Sequence, residues 1–273
     1  MHAHLEAHFF LSDLRPDNIL LDRREREDGL VICDFEQRGN WYEWSPPEIL
    51  YAQYVENIER EMQRVEAGAA AAPWRDLVAL YRSVSLPHKR AVCGKVEDSN
   101  WPWFVMTAQQ QEKAQVYMIG LLIYCIFEGT SNVRLNIANA YRHEDPEIQF
   151  PTFKNSPMLL RKLIQKYTAG APEWEPYETH PSRDHSSTWP PRATRVIRNG
   201  TNLQTEASAG AESNLETEHD VLETALNWWA VELQRAKHFF TTHGETYRDV
   251  GECRPTLKEV LLDLQCLQLS ELE

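Results

Sequence analysis

Asp13, Arg15, Asn18 and Asp34 are the residues of this chain whose types and spacing could do chemistry. They belong to the stretch DLRPDNILLDRREREDGLVICDFEQRGNWYEWSPPE, from Asp13 to Glu48. Within 36 residues it holds an Asp, a basic residue, an Asn, a short hairpin, a second Asp and a Pro-Pro-Glu. Any one of these alone is commonly a surface or turn residue. Gathered at D-x-R-P-x-N spacing, with a hairpin leading to a second Asp, they suit phosphoryl transfer, which asks for positioning and charge stabilisation more than for covalent chemistry. Two strand-like runs, Asn18 to Asp22 and Leu30 to Cys33, are joined by the charged, Gly-containing RREREDG. Such a hairpin holds Asn18 and Asp34 close together at one end, and its mixed-sign tip reads as a solvated turn.

In order, these features resemble the catalytic loop, the metal-binding DFG turn and the APE end of the activation segment of protein kinases. The resemblance implies that Asp13 orients the acceptor hydroxyl as catalytic-loop Asp. Arg15 stands where serine/threonine kinases usually have Lys, and Asn18 and Asp34 hold the magnesium ions that bridge the phosphates of ATP. Three later segments extend the likeness over most of the chain. Pro46-Pro47-Glu48 is similar to APE, Val116 to Gly129 (VYMIGLLIYCIFEG) looks like the hydrophobic central helix of the large lobe, and Arg254-Pro255 resembles the RP before the final helix. The family pattern pairs the motif Glu with this Arg, so Glu48 and Arg254 are expected to form a buried structural ion pair. The implied fold is mainly α: a kinase-like C-terminal lobe over 1–273, with a short β-hairpin at the catalytic loop and the N-terminal lobe missing. The implied activity is ATP- and magnesium-dependent phosphorylation of protein Ser/Thr.

The departures from the pattern carry expectations of their own. Leu11 and Ser12 replace the His and Arg of HRD, and the segment from Asp34 to Glu48 is short, so switching by loop phosphorylation is not expected. Glu36 replaces the DFG glycine and brings a carboxylate beside the metal site. Gln115 stands where the central helix usually carries an Asp that ties down the catalytic loop's backbone, so a neutral amide has to do that work. No Gly-rich loop or VAIK lysine fits in the 12 residues before Asp13, so the chain is expected to be truncated and, alone, to bind ATP weakly or not at all and to be inactive or very weak as a kinase. It is also expected to expose an apolar patch where the small lobe would dock, open to a protein partner. Two alternatives stay open. One is a pseudokinase-type interaction module, favoured by the lost His-Arg pair, Glu36 and the insertions. The other is a small-molecule kinase of the aminoglycoside-phosphotransferase kind, whose ID-[FW]-E turn fits Asp34-Phe35-Glu36 better than DFG does.

The elements that must position these residues follow from periodicity. Leu50, Tyr54, Ile58, Met62 and Val65 recur at helical spacing and stop at Gly68; WRDLVALYRSV is a further helical piece. An apolar helix is predicted over 105–128 and an amphipathic one from Pro157 to Lys166. Another, from about His219 to Phe240, has Leu222, Leu226, Trp229, Leu233 and Phe240 on one face. Adjacent Trp228 and Trp229 cannot share a face, which leaves one of them able to meet the surface, with ordinary packing the favoured expectation. Thr256 is placed to cap a last helix through Val260, Leu261, Leu264 and Leu267. Against a kinase-like large lobe, 51–104 and 173–250 are insertions. Within the second, 173–216 is rich in Pro, Ser, Thr, Glu and Asn and reads as disordered.

Composition bounds the function. With 28 basic and 41 acidic residues the formal charge is −13, which argues against a broad nucleic-acid footprint. The longest nearly unbroken apolar run, Val116 to Phe127, has 12 residues where a bilayer crossing needs about 20, so no membrane role is expected. The first ten residues lack the features of a signal peptide. Five scattered cysteines with no CxxC indicate neither a disulfide framework nor a zinc site. A reducing compartment, the cytoplasm with the nucleus left open, is the expectation. Asn199-Gly200-Thr201 matches a glycosylation acceptor, which that compartment makes a chance match.

Overall fold

The structure is a computed structural model that describes residues 10–22, 29–34, 44–68, 72–88, 91–92, 102–130, 133, 150–174, 194–199, 202–207 and 218–270. These residues are mainly helical, with small antiparallel sheets. In chain order the regular elements are β1 (Ile19–Asp22), β2 (Gly29–Ile32), α1 (Pro47–Glu66), α2 (Ala72–Val84), α3 (Ala108–Glu128) and α4 (Met158–Tyr167). There follow β3 (Thr194–Asn199), β4 (Asn202–Ala207), α5 (Glu218–His243) and α6 (Leu257–Ser270), with short 3-10 turns between.

Local sequence sets the helix ends. Pro47, whose missing N–H would be unpaired in any first turn, opens α1. The α3 helix begins at Ala108 rather than at 105, because Thr107 and Gln110 form a capping box and Pro102–Val105 makes a separate 3-10 turn. The Gln110 N–H donates to the Thr107 hydroxyl at 3.2 Å, and the Thr107 N–H donates to the Gln110 side chain at 2.8 Å. Gly129, at φ +70°, closes the helix in the left-handed region that costs glycine nothing. Thr256 caps α6 as its spacing predicts: its hydroxyl accepts from the Glu259 N–H at 3.3 Å, and the Glu259 carboxylate accepts from the Thr256 N–H at 2.7 Å.

α3 is apolar on most sides and lies in the core, with Val116, Tyr117, Met118, Leu121 and Tyr124 fully buried. It packs against α4, and Gly120 permits the approach: a Cβ there would stand 2.8 Å from Thr168 Cγ2 and 2.9 Å from Tyr167 Cβ. One face of α3 joins Phe10, Leu11, Leu14, Ile49, Trp103 and Val260 in a cluster beneath the hairpin. A second core gathers α1, α2 and α5 through Ile58, Leu77, Tyr81, Val84 and Leu233. The two stretches read as separate insertions, 51–104 and 173–250, therefore share one helical bundle. Both tryptophans of α5 serve it. Trp228 is buried, Trp229 is partly buried, and their rings meet Tyr54 edge-on at 6.0 and 5.2 Å, so neither is turned out to the surface alone.

Within 173–216, described residues 194–199 and 202–207 depart from the disorder that composition suggests and pair as β3 and β4, from Thr194↔Ala207 to Asn199↔Asn202.

Candidate active site

The loop carrying Asp13 is held from below by Phe10, Leu11 and Leu14, all buried. Apolar burial fixes the chain on both sides of Asp13, while the carboxylate stays at the edge of the core. Gln115, buried on α3, accepts the Leu11 backbone N–H through Oε1 at 3.2 Å. The neutral amide thus does the tethering that the sequence assigns to it. Pro16–Asn18 then forms one 3-10 turn, in which the Asn18 N–H donates to the Arg15 carbonyl at 3.0 Å.

That turn folds Asn18 back onto Asp13. Asn18 Nδ2 donates to the Asp13 backbone carbonyl at 3.0 Å and to Asp13 Oδ2 at 3.2 Å, which leaves the amide oxygen as the group able to accept or ligate. Asp13 Oδ1 is buried without a hydrogen bond and lies 3.3 Å from Arg15 Nε as an ion pair. Arg15 Nη1 also stands 3.7 Å from the exposed Asp17 carboxylate. Burial pushes the Asp13 carboxyl above its ordinary value. Arg15 and the Asn18 hydrogen bond pull it down, Asp34 and Asp17 push it up again, and the balance is upward.

The hairpin brings in Asp34. β1 and β2 pair antiparallel from Ile19↔Ile32 to Asp22↔Gly29, and the ladder continues past the strands where the Cys33 N–H donates to the Asn18 carbonyl at 2.9 Å. Asp34 therefore follows directly on the residue bonded to Asn18. It is exposed and sits at φ +58°, a left-handed backbone that a non-glycine residue holds only at a cost, as functional turns often do. Phe35 and Glu36, on which the comparison of DFG with DFE depends, lie outside the described residues.

The donor set fits magnesium. Asn18 supplies an amide oxygen, Asp34 an exposed carboxylate and Asp13 a carboxylate paired with Arg15, all hard ligands, and magnesium takes only one or two protein carboxylates beside phosphate and water. Among the described residues no group of three or more His, Cys, Asp or Glu gathers as a self-sufficient metal cage.

The second end of the predicted stretch is fixed by the expected ion pair. Glu48 and Arg254 meet across 206 positions as a two-pronged pair, Nη1 to Oε1 at 2.5 Å and Nη2 to Oε2 at 3.0 Å, with both side chains essentially inaccessible. The rest of the guanidinium is satisfied too: Nε donates to the Ala169 carbonyl at 2.8 Å, Nη1 also reaches the Lys113 carbonyl at 3.3 Å, and the Tyr117 ring lies 4.8 Å away. No family model, no curated protein and no solved structure matches the chain.

Sequence reasoning passed over several residues that brace this arrangement. Lys113 Nζ donates to the Arg254 carbonyl at 2.5 Å, and the Glu112 carboxylate accepts the Leu257 N–H at 2.9 Å. Gly251 leaves room for the pair, since a Cβ there would stand 2.8 Å from Arg254 Nη1 and 3.2 Å from Glu48 Oε1. Glu128, buried at the end of α3, accepts the N–H groups of Lys154, Asn155 and Ser156, each at 2.9 Å. Lys113, Glu112 and Glu128 lie far in sequence from their partners, so spacing carries no sign of them.

Proposed function

We propose that this chain is the helical lobe of a protein-kinase-like phosphotransferase. Asp13 orients the hydroxyl of a protein Ser or Thr, while Asn18 and Asp34 hold magnesium on the phosphates of ATP. Magnesium, when bound with the nucleotide, neutralises charge on the transferring phosphoryl group. Asn18 fixes the Asp13 carboxylate by its side-chain hydrogen bond. The raised Asp13 carboxyl holds a proton more readily than a solvated carboxylate does, which suits a group that takes part in moving the hydroxyl proton. Arg15, next to Asp13, supplies a cation that can turn from the two carboxylates to a phosphate.

The observation that carries the reading is the grouping of Asp13, Asn18 and Asp34 at one end of a hairpin, by the Asn18–Asp13 side-chain bond and the Cys33–Asn18 ladder bond. The Glu48–Arg254 pair and the Gln115 tether, both expected from the resemblance, support it further. Thermal denaturation with and without millimolar Mg-ATP tests it, because a ligand at a hundred times its Kd adds about 2.7 kcal/mol. The expected result is a magnesium-dependent rise in Tm for the wild type that disappears in Asp34→Ala. No magnesium-dependent rise at any nucleotide concentration overturns the proposal.

A second reading, an interaction module that works without nucleotide, draws on the hairpin surface. Leu20, Leu21, Leu30 and Val31 are 45–70% exposed, and the register places them on both faces of the ribbon. Leu11, where the family pattern has His, is a buried core residue rather than a charged arm. A Tm indifferent to Mg-ATP, together with loss of protein binding on charging this surface by Leu20→Glu, would favour this reading.

A further inference from the structure

From Leu77 to Val96 the chain carries no carboxylate side chain, while Arg82, Lys89, Arg90 and Lys95 are all basic. In a chain of net charge −13 this is a basic island. At its centre is Arg82-Ser83-Val84-Ser85-Leu86-Pro87. Ser85 is the first residue past α2. It is exposed and sits at φ +58°, one of two non-glycine residues in the left-handed region among those described. Arg82, three residues earlier, is also exposed, and its one ion pair, to Glu66 at 3.1 Å, lies in solvent, where such pairs hold weakly. Ser83 differs: its hydroxyl is already bonded to the Leu80 carbonyl at 2.7 Å.

We propose that Ser85 is a phosphorylation site for a basophilic protein kinase, and that the phosphate unlatches the last turn of α2 from the bundle formed by α1, α2 and α5. The serine and its arginine supply an exposed acceptor and a cation three positions upstream, which an acidic kinase surface can grip. In the transfer step Ser85 Oγ attacks the γ-phosphorus of ATP. The new O–P bond forms as the bond from that phosphorus to the β,γ-bridging oxygen breaks. ADP leaves with the electron pair, and the hydroxyl proton passes to the kinase's carboxylate base.

The consequence follows from where the phosphate falls. It lies at the C-terminal end of α2, beside the unpaired last carbonyls and the negative end of the helix dipole, where an added dianion opposes helix formation. Among the described residues, the contacts beside it include the following. The Tyr81 hydroxyl donates to Glu59 of α1 and to the Pro87 carbonyl, both at 3.3 Å, and Val84 is fully buried against α1 and α5. Fraying from Tyr81 onward releases these latches together. This site is independent of the proposed hairpin site.

The test uses the full chain with Mg-ATP, with and without the catalytic subunit of a basophilic protein kinase. Phosphopeptide mapping is expected to place one phosphate on Ser85. It should appear at least about tenfold more slowly in Arg82→Ala and not at all in Ser85→Gly. Glycine suits the left-handed backbone, so Ser85→Gly should keep its fold by circular dichroism and separate loss of the acceptor from loss of structure. In the phosphorylated protein, amide hydrogen exchange over 81–87 should rise by about tenfold or more while exchange in α3 stays the same. Phosphate on Ser83 instead of Ser85, a rate indifferent to Arg82, or unchanged exchange after stoichiometric phosphorylation would each overturn the proposal.

Discussion

Asp13 illustrates how a part-buried carboxylate works against the fold that holds it. Because burial leaves its folded carboxyl above the unfolded value, the protonated form is favoured on folding, and stability falls as the pH rises through and above the ordinary carboxylate range. Asp13→Asn, which keeps the size and removes the charge, is therefore expected to raise Tm at neutral pH and to narrow the difference near pH 4. Under the proposed function the same substitution abolishes phosphate transfer, so parallel melting curves and transfer assays check both halves. Glu128 has the opposite sign. Desolvation pushes its carboxyl up, but the Ser156 hydroxyl and three backbone N–H groups outweigh that and hold it below the ordinary value. Its contribution is present above the unfolded pKa and lost as the pH falls through the folded one. Glu128→Ala should cost about 3 kcal/mol at neutral pH and less in acid, as urea titrations at both pH values would show. Asp13, Asn18 and Asp34 were readable because they lie on one short loop and hairpin whose pairing is local. Glu128 was not, because its partners start 26 residues away and nothing in its own neighbourhood marks it.

At the scale of elements, the Glu48–Arg254 pair joins the start of α1 to the turn before α6 and is braced through Lys113 and Tyr117 of α3. With both ions out of water, removing one partner leaves the other charged and unsolvated. Arg254→Ala should cost about 3–5 kcal/mol, and Arg254→Lys should not rescue it, because an ammonium cannot reproduce the two-pronged contact. Denaturant midpoints of the two variants check this. The pair was expected only through the family resemblance, since no periodicity links residues 206 positions apart. Element boundaries were set by caps more than by apolar runs, which is why α3 starts at its Thr107-Gln110 box. In the same way, β3 and β4 form where overall polarity argued against order.

At the scale of the whole molecule, the two stretches that read as separate insertions are one structure. Periodicity gave the helices of 51–104 and 173–250 their apolar stripes, but a stripe does not say which other stripe it meets. Here α1, whose first turn holds the ion-paired Glu48, extends into the bundle and carries Tyr51, Tyr54 and Ile58 against Phe239, Trp228 and Leu233. The bundle and the core around α3 thus share a continuous helix, and unfolding of one should be felt by the other. Leu233, fully buried in the bundle, is a clean probe: Leu233→Ala opens a cavity worth about 2–5 kcal/mol without touching the hairpin. If the coupling through α1 holds, the variant should still unfold in a single transition at a lower denaturant midpoint. With every tryptophan but Trp228 and Trp229 replaced by phenylalanine, tryptophan fluorescence and far-ultraviolet circular dichroism should give the same midpoint. Two separated transitions, with the tryptophan signal lost first, would mean that the bundle is an appendage that melts alone. In that case the effect of Ser85 phosphorylation would stay in the bundle, whereas a single transition would carry it along α1 toward Glu48.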